Sequence, residues 1–321
     1  MSSSSTTTSA SVQNEINTIN SIIVISTRYC SLIIIVLGVV CNLLNIYVFT
    51  RPQLRRNPCC MYFLSSSITT LVYIVINVPL RLLQMGFNID PMLDSLIACK
   101  FKYFFTYTWR SLSVWFLVHA SVDRFLHSSS NANVRRWSSY KIARLVIPLT
   151  FLVAQLAYAH VLVFYEILTS PRRTCSIGNK AYNIFLGIWH VITYGTGPAL
   201  LMLIFSLLTI RHVRQRRIIP TASHSIEENQ RSSGDNHFLR MALAQCVFIA
   251  IATTIYAVGQ WYTTLTAEQS KSSLQVAIDN LFYFWTGTIS AFGHATTFFI
   301  FTLSSKFFRE QLFRRRRGRI Y

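Results

Sequence analysis

Seven apolar runs divide the chain, at about 22–49, 59–84, 99–127, 142–165, 182–210, 238–265 and 276–303, with short polar breaks between them. Each run reaches the ~20 residues a helix needs to cross a bilayer, whereas a membrane β-barrel shows alternating segments of ~10 residues. The pattern therefore predicts seven transmembrane helices over 22–303. Residues 1–21 are rich in Ser, Thr and Asn and lack a basic leader, so they read as a polar amino-terminal segment, with the first run as an uncleaved signal anchor. In the last segment, 304–321, Phe308 and Leu312 stand four residues apart on one helical face, with Arg309 and Glu310 turned away. That spacing predicts a short amphipathic eighth helix, its apolar face at the acyl boundary and Arg314–Arg317 against anionic headgroups. The expected fold class is all-α, a seven-transmembrane helix bundle with a short amphipathic eighth helix.

Charge gives the orientation. Arg51, Arg55 and Arg56 fall in the first break, Arg135 and Arg136 in the third, and Arg211, Arg214, Arg216 and Arg217 in the fifth. Arg314–Arg317 and Arg319 end the chain. Cytoplasmic loops hold the basic excess, which places the amino terminus outside and the carboxyl terminus inside. The opposite face holds Asp90, Asp94, Glu166, Glu268 and Asp279. The net charge of +19 would point to nucleic acid in a soluble protein. With 21 of the 30 Lys and Arg residues at the inner loops, helix ends and tail, it is topological, and the expected partner is the lipid bilayer. Composition agrees: 52% of residues are hydrophobic and 13% charged, against about a quarter charged in soluble domains. No Asn-x-Ser/Thr sequon occurs. None of the seven cysteines shows zinc-type spacing, and no metal or cofactor is expected.

Asp123-Arg124-Phe125 closes the third run at its cytoplasmic end, with Arg124 twenty-five residues after Cys99. A charged pair is costly within a bilayer and common just outside it. With Gly38-Val39-Val40-Cys41-Asn42 in the first run, Cys175 in the second outer loop, Pro198 in the fifth run and Phe308-Arg309 after the seventh, the chain resembles a rhodopsin-like (class A) G-protein-coupled receptor over about residues 25–313. The resemblance implies a Cys99–Cys175 disulfide tying the third helix to the second outer loop. It also implies a plasma-membrane receptor without enzymatic activity, coupled to a heterotrimeric G protein through Asp123, Arg124 and Phe125. Asp235, near the start of the sixth helix, is a second candidate restraint on Arg124.

The chain departs from that family pattern in several places. Thr70 stands where the second helix usually carries an aspartate, and Thr297-Phe298-Phe299-Ile300-Phe301 aligns with Asn-Pro-x-x-Tyr. Ala252-Thr253-Thr254-Ile255 replaces Cys-Trp-x-Pro, and Ser206 replaces the fifth-helix tyrosine. These losses argue against the usual sodium pocket and proline kink, though not against the fold.

Thr106 occupies the place of the amine receptors' aspartate and Ala291 that of the opsins' lysine, so neither ligand class is expected. Arg110, one turn deeper than Thr106, is the sharper clue, because an ionised side chain inside a span faces a cavity or a partner. Two readings stand: it receives an anionic ligand group by a bidentate contact, or it is a structural arginine held by Thr, Tyr or backbone groups. Arg81 is either a second positive wall or a side chain snorkelling to the interface. Trp261 and Trp285 are packing residues or the lining of an upper pocket, and Asp279 completes the candidate ligand contacts. The histidines of the apolar runs read as polar packing. The expected ligand is an extracellular peptide or a small anionic molecule. Segments such as Asn77-Val78-Pro79-Leu80-Arg81 make the chain look most like invertebrate FMRFamide-type peptide receptors. A non-signalling or chemosensory receptor of the same fold, and a transporter or channel, are the alternatives; the internal repeats of transporters are not evident.

Overall fold

The computed structural model describes residues 3–169, 173–218, 226–266 and 269–313, with side chains for all of these except 3–9, 216–218, 226–238 and 307. Helices α1 (Ser3–Phe49), α2 (Pro58–Arg81), α3 (Leu96–Ser128) and α4 (Tyr140–Tyr158) precede an antiparallel hairpin of β1 (Tyr165–Leu168) and β2 (Thr174–Ile177). Then come α5 (Lys180–His190, a π-helical turn Val191–Gly195, then Thr196–Ile218), α6 (Ile226–Leu265) and α7 (Ser273–Ala295, resumed over Thr297–Ser304). The short α8 (Lys306–Phe313) follows. Local chemistry sets the starts. Asn57, Ser95, Ser139, Asn179 and Ser272 each accept a backbone N–H from the first turn of α2, α3, α4, α5 and α7 respectively.

The α3 helix is central and packs on α2, α4, α5 and α6, while α1 closes the ring between α2 and α7. Five stretches are long and apolar enough to cross a membrane by length and composition: Ala10–Phe49, Pro58–Gly86, Tyr140–Phe164, Lys180–Gln215 and Leu239–Leu265. The α3 and α7 helices have the length but are more polar. Lys100, Lys102, Arg110, Asp123 and Arg124 lie on α3, and Gln275, Asp279, Asn280 and His294 on α7. These two helices supply most of the ionised groups of the bundle's interior.

Three boundaries differ from the hydropathy reading. The first helix begins at Ser3 rather than 22, because nothing in 3–21 breaks a helix and polar side chains support it locally: Thr18 Oγ1 donates to Asn14 O at 2.8 Å. The sixth begins at Ile226 rather than 238. The fourth run does not reach 165 as one helix, since Tyr165 already starts β1. The apolar face of α8 is also corrected. Phe308 does not lie at the acyl boundary: it is 1% exposed and packs on Phe49, Phe298 and Phe301, with ring centroids 5.5–5.8 Å apart. Arg314–Arg317 fall outside the described residues.

The π-helical turn in α5 has an identifiable cause and use. Widening the helix frees the carbonyl of Thr193, which accepts from Ser111 Oγ (3.1 Å) and Trp115 Nε1 (2.8 Å) of α3. Glycine at 197 permits the turn, because a Cβ there would lie 2.0 Å from Ile192 O. Gly197→Ala is therefore expected to destabilise the protein by about 1–3 kcal/mol despite the better helix propensity of Ala. A lowered thermal midpoint of the purified protein would register the loss; an unchanged or raised midpoint would show that the turn is not sterically required.

Candidate ligand-binding and signalling sites

At the end of the bundle where α3 begins, expected to face outside, Cys99 and Cys175 are disulfide-bonded, Cα atoms 5.8 Å apart, which pins β2 to the start of α3. The hairpin is held a second time by aromatic contact. Tyr165 of β1 stacks on Tyr103 at 4.2 Å and its hydroxyl lies 3.0 Å from that of Tyr107. A cavity of about 310 Å³ opens between the outer parts of α5, α6 and α7, lined by Asn183, Gln260, Thr263, Lys271, Asp279 and Tyr283 among others. Asp279 lies on this wall but is already engaged. Its carboxylate takes Lys271 Nζ at 2.5 Å, Gln275 Nε2 at 2.9 Å and Tyr262 OH at 2.9 Å, so it braces the loop between α6 and α7 rather than standing free for a ligand. Trp261 and Trp285 are 37% and 40% exposed and line neither this cavity nor the deeper one, so the upper-pocket role does not fit their placement.

Deeper in the bundle, Thr106 Oγ1 sits 3.0 Å from Asn77 Oδ1 and 2.7 Å from Lys102 O. Asn77 and Arg81 line a small cavity of about 10 Å³ with Tyr73, Phe284 and Thr288. The Arg81 guanidinium lies 5.2 Å from the Phe284 ring centroid, so it points into the bundle rather than snorkelling outward. One turn below Thr106, the Arg110 guanidinium packs on two rings set edge to face, 4.4 Å from Tyr194 of α5 and 4.0 Å from Tyr256 of α6. Cation–π contacts of this kind are worth ~2 kcal/mol when desolvated. Among the described residues the ion pairs are Lys102–Asp90, Arg124–Asp123 and Lys271–Asp279, so no carboxylate meets Arg81 or Arg110.

The two tyrosines extend the polar core. Tyr194 OH contacts Ser290 Oγ (2.8 Å) and His294 Nε2 (3.1 Å), and Tyr256 OH reaches Gln260 Oε1 (3.2 Å) and Tyr283 OH (3.4 Å). His190 stacks on Tyr194 and bonds Tyr158 OH at 2.9 Å, while His119 bonds Thr150 Oγ1 at 2.9 Å. The histidines are thus polar packing between helices. Sequence reasoning missed Tyr194, Tyr256 and Tyr283, because tyrosines are ordinary in apolar helices and nothing local marks these three.

At the opposite end, where α3 finishes, Arg124 and Asp123 are each 4% exposed and form a two-bond pair, with Nη2 at 2.5 Å and Nε at 3.1 Å from Asp123 Oδ2. Ser138, just before α4, donates to the other carboxylate oxygen at 2.7 Å. Both oxygens are therefore occupied and the arginine is turned inward. Phe125 fills the tyrosine's place by packing on α5, 5.1 Å from His212 and 5.5 Å from Phe205. The Asp235 side chain lies outside the described residues. On α7, Thr297 accepts from Asn45 Nδ2 at 3.0 Å, so the residue replacing the usual asparagine still ties α7 to α1, while Thr70 is buried in α2.

The 7 transmembrane receptor (rhodopsin family) profile matches residues 41–292, which runs from α1 almost to the end of α7. The chain belongs to that family. It is accordingly a receptor and not an enzyme, a multi-pass protein of the plasma membrane whose family couples to G proteins. No curated protein matches it. The ligand is a separate question, because fold does not fix the chemistry of a site.

Proposed function

We propose that this receptor, with its amino terminus outside, transduces binding of a short extracellular neuropeptide to a heterotrimeric G protein. The observation that supports this most is the composition of the outer cavity. A peptide backbone offers donors and acceptors in equal number, and the wall answers with the amides of Asn183, Gln260 and Asn280 and the hydroxyls of Thr263, Thr264 and Tyr283. A wall for a small amine would need an unpaired carboxylate, and Asp279 is bound on both oxygens. The likeness to FMRFamide-type receptors points to the same ligand class. Binding that favours an open bundle shifts the population toward it and turns Arg124 from Asp123 to the G protein.

The test is G-protein activation in cells expressing the chain, screened against a short-peptide library beside Arg124→Ala. A peptide response that falls at least tenfold in Arg124→Ala at equal surface expression is the expected result. Responses equal in the two proteins would remove Arg124 from the coupling step. Silence toward every peptide by a receptor confirmed at the surface would remove the peptide. The altered residues at Thr70, Thr253 and Thr297 favour one second reading, a receptor that binds without signalling, which saturable peptide binding without nucleotide exchange would reveal.

A further inference from the structure

Two guanidiniums stand in the interior of this bundle without a carboxylate, and they are close enough to repel one another. Arg81 lines the small cavity beside Asn77, and Arg110 lies deeper. Charged side chains inside a membrane bundle are costly, and the cost is met by a partner, a cavity or an anion. Here the partners are aromatic: two tyrosine rings at Arg110 and one phenylalanine ring at Arg81. Tyr194 also hydrogen-bonds the Arg110 guanidinium, but one hydroxyl and two ring faces leave room for the paired in-plane bonds that a carboxylate takes at once.

Geometry connects these groups to the outside. Tyr283 lines the outer cavity, its hydroxyl lies 3.4 Å from that of Tyr256, and the Tyr256 ring carries the Arg110 guanidinium at 4.0 Å. On the other flank, Arg81 shares its small cavity with Asn77, which touches Thr106, one helical turn above Arg110. That cavity admits a single water-sized group in this conformation, so a larger anion must select a more open one.

We propose that Arg110, with Arg81 as its flanking charge, receives a carboxylate of the ligand that enters along the Tyr283–Tyr256 wall, and that this capture draws Arg110 off Tyr256 and frees α6. The inference rests on the receptor reading above and names the chemistry of its ligand. An amidated peptide has no terminal carboxylate, so in such a ligand the anion is an acidic side chain. Before capture, Arg110 bridges α3 to α5 and α6 through the two rings. After capture the guanidinium is spoken for in its own plane, and the contact with Tyr256 weakens.

The experiment uses the full-length receptor in phosphatidylcholine nanodiscs and matched pools of acetylated three- to five-residue peptides, identical except that one carboxylate, terminal or side-chain, is replaced by its amide. Binding is read by the shift in thermal midpoint, and signalling by nucleotide exchange on added G protein. At least one carboxylate pool is expected to bind tenfold or more tightly than its amide counterpart. The preference is expected to vanish in Arg110→Gln, to fall at least threefold in Arg81→Gln and to persist in Arg110→Lys. The charge-retaining Lys variant and Arg81→Gln keep the test alive if Arg110→Gln does not reach the folded state. No carboxylate preference in any pool, or a preference unchanged in Arg110→Gln and Arg81→Gln, overturns the site. Exchange driven equally by the amide pools would overturn it while leaving the receptor reading intact; carboxylate-specific binding without exchange would do the reverse. Tyr256→Leu tests the release step: raised basal exchange is expected, and unchanged basal exchange at normal expression overturns the coupling of Arg110 to α6.

Discussion

Cys99→Ser and Cys175→Ser are each expected to remove most of the receptor from the cell surface. The bond joins cysteines 76 positions apart in the chain, and the chain-entropy model assigns such a closure about 4–5 kcal/mol. Stability of that size is a large share of the ~5–15 kcal/mol that separates a folded domain from its unfolded chain. The effect is not purely entropic here. Without the bond, β2 keeps its pairing to β1, in the register Ile167 opposite Cys175, and β1 keeps the stacked Tyr165–Tyr103 contact. The hairpin therefore stays nearby but is no longer fixed to the start of α3. The double variant should lie no lower in thermal midpoint than either single one, because all three remove one and the same bond. Single variants that differ, or a double variant that falls further, would mean that the cysteines contribute separately. Surface labelling together with thermal unfolding in detergent measures both quantities.

The bundle was legible in the sequence because a bilayer demands long apolar helices and basic cytoplasmic loops, and both leave marks that local reading detects. Asp123-Arg124 stood out as a charged pair closing an apolar run, while the Cys99–Cys175 bond was implied by the family resemblance and is present in the structure. What escaped was whatever depends on which side of an apolar helix faces protein. Phe308 and Trp261 illustrate the difficulty. Lipid tails are as apolar as a helix interface, so a ring buried on Phe49 and a ring left exposed on α6 have the same local signature. Polar helix beyond the membrane was equally hidden, as the start of α1 at Ser3 shows, since hydropathy does not distinguish a solvated helix from a loop. The site at Arg110 was half legible. An arginine deep in a span announces itself, but the rings that hold it come from α5 and α6, and no spacing along the chain brings Tyr194 and Tyr256 together. Asp279 shows the converse: the sequence displays a carboxylate early in the seventh run, but only the folded chain shows that Lys271, eight residues earlier, already binds it.

Asp123→Ala is expected to raise basal G-protein activation tenfold or more. In the present conformation Arg124 is 4% exposed, and the Asp123 carboxylate is its sole ion-pair partner among the described residues. Removing one member of a buried pair costs about 3–5 kcal/mol, because the remaining charge is left without compensation. An open state that brings Arg124 to water or to the G protein escapes most of that cost. The substitution therefore penalises the closed state selectively, and each 1.4 kcal/mol of difference is a factor of ten in the ratio of states. Ser138→Ala removes one hydrogen bond to the carboxylate, which is worth about 1.5–3 kcal/mol, while leaving the arginine paired. Its basal activity should fall between wild type and Asp123→Ala, and the two effects should not add, since Ser138 acts through the carboxylate that Asp123→Ala deletes. The pair is buried, so the ordering should survive a change from low to physiological salt, where surface pairs are screened. Nucleotide exchange on purified G protein, with receptor amount matched, measures the series. If Asp123→Ala is as quiet as wild type at equal surface expression, the inner pair is a packing contact and the restraint on activation lies elsewhere. In that case the contact of Arg110 with the Tyr194 and Tyr256 rings is the next restraint to break.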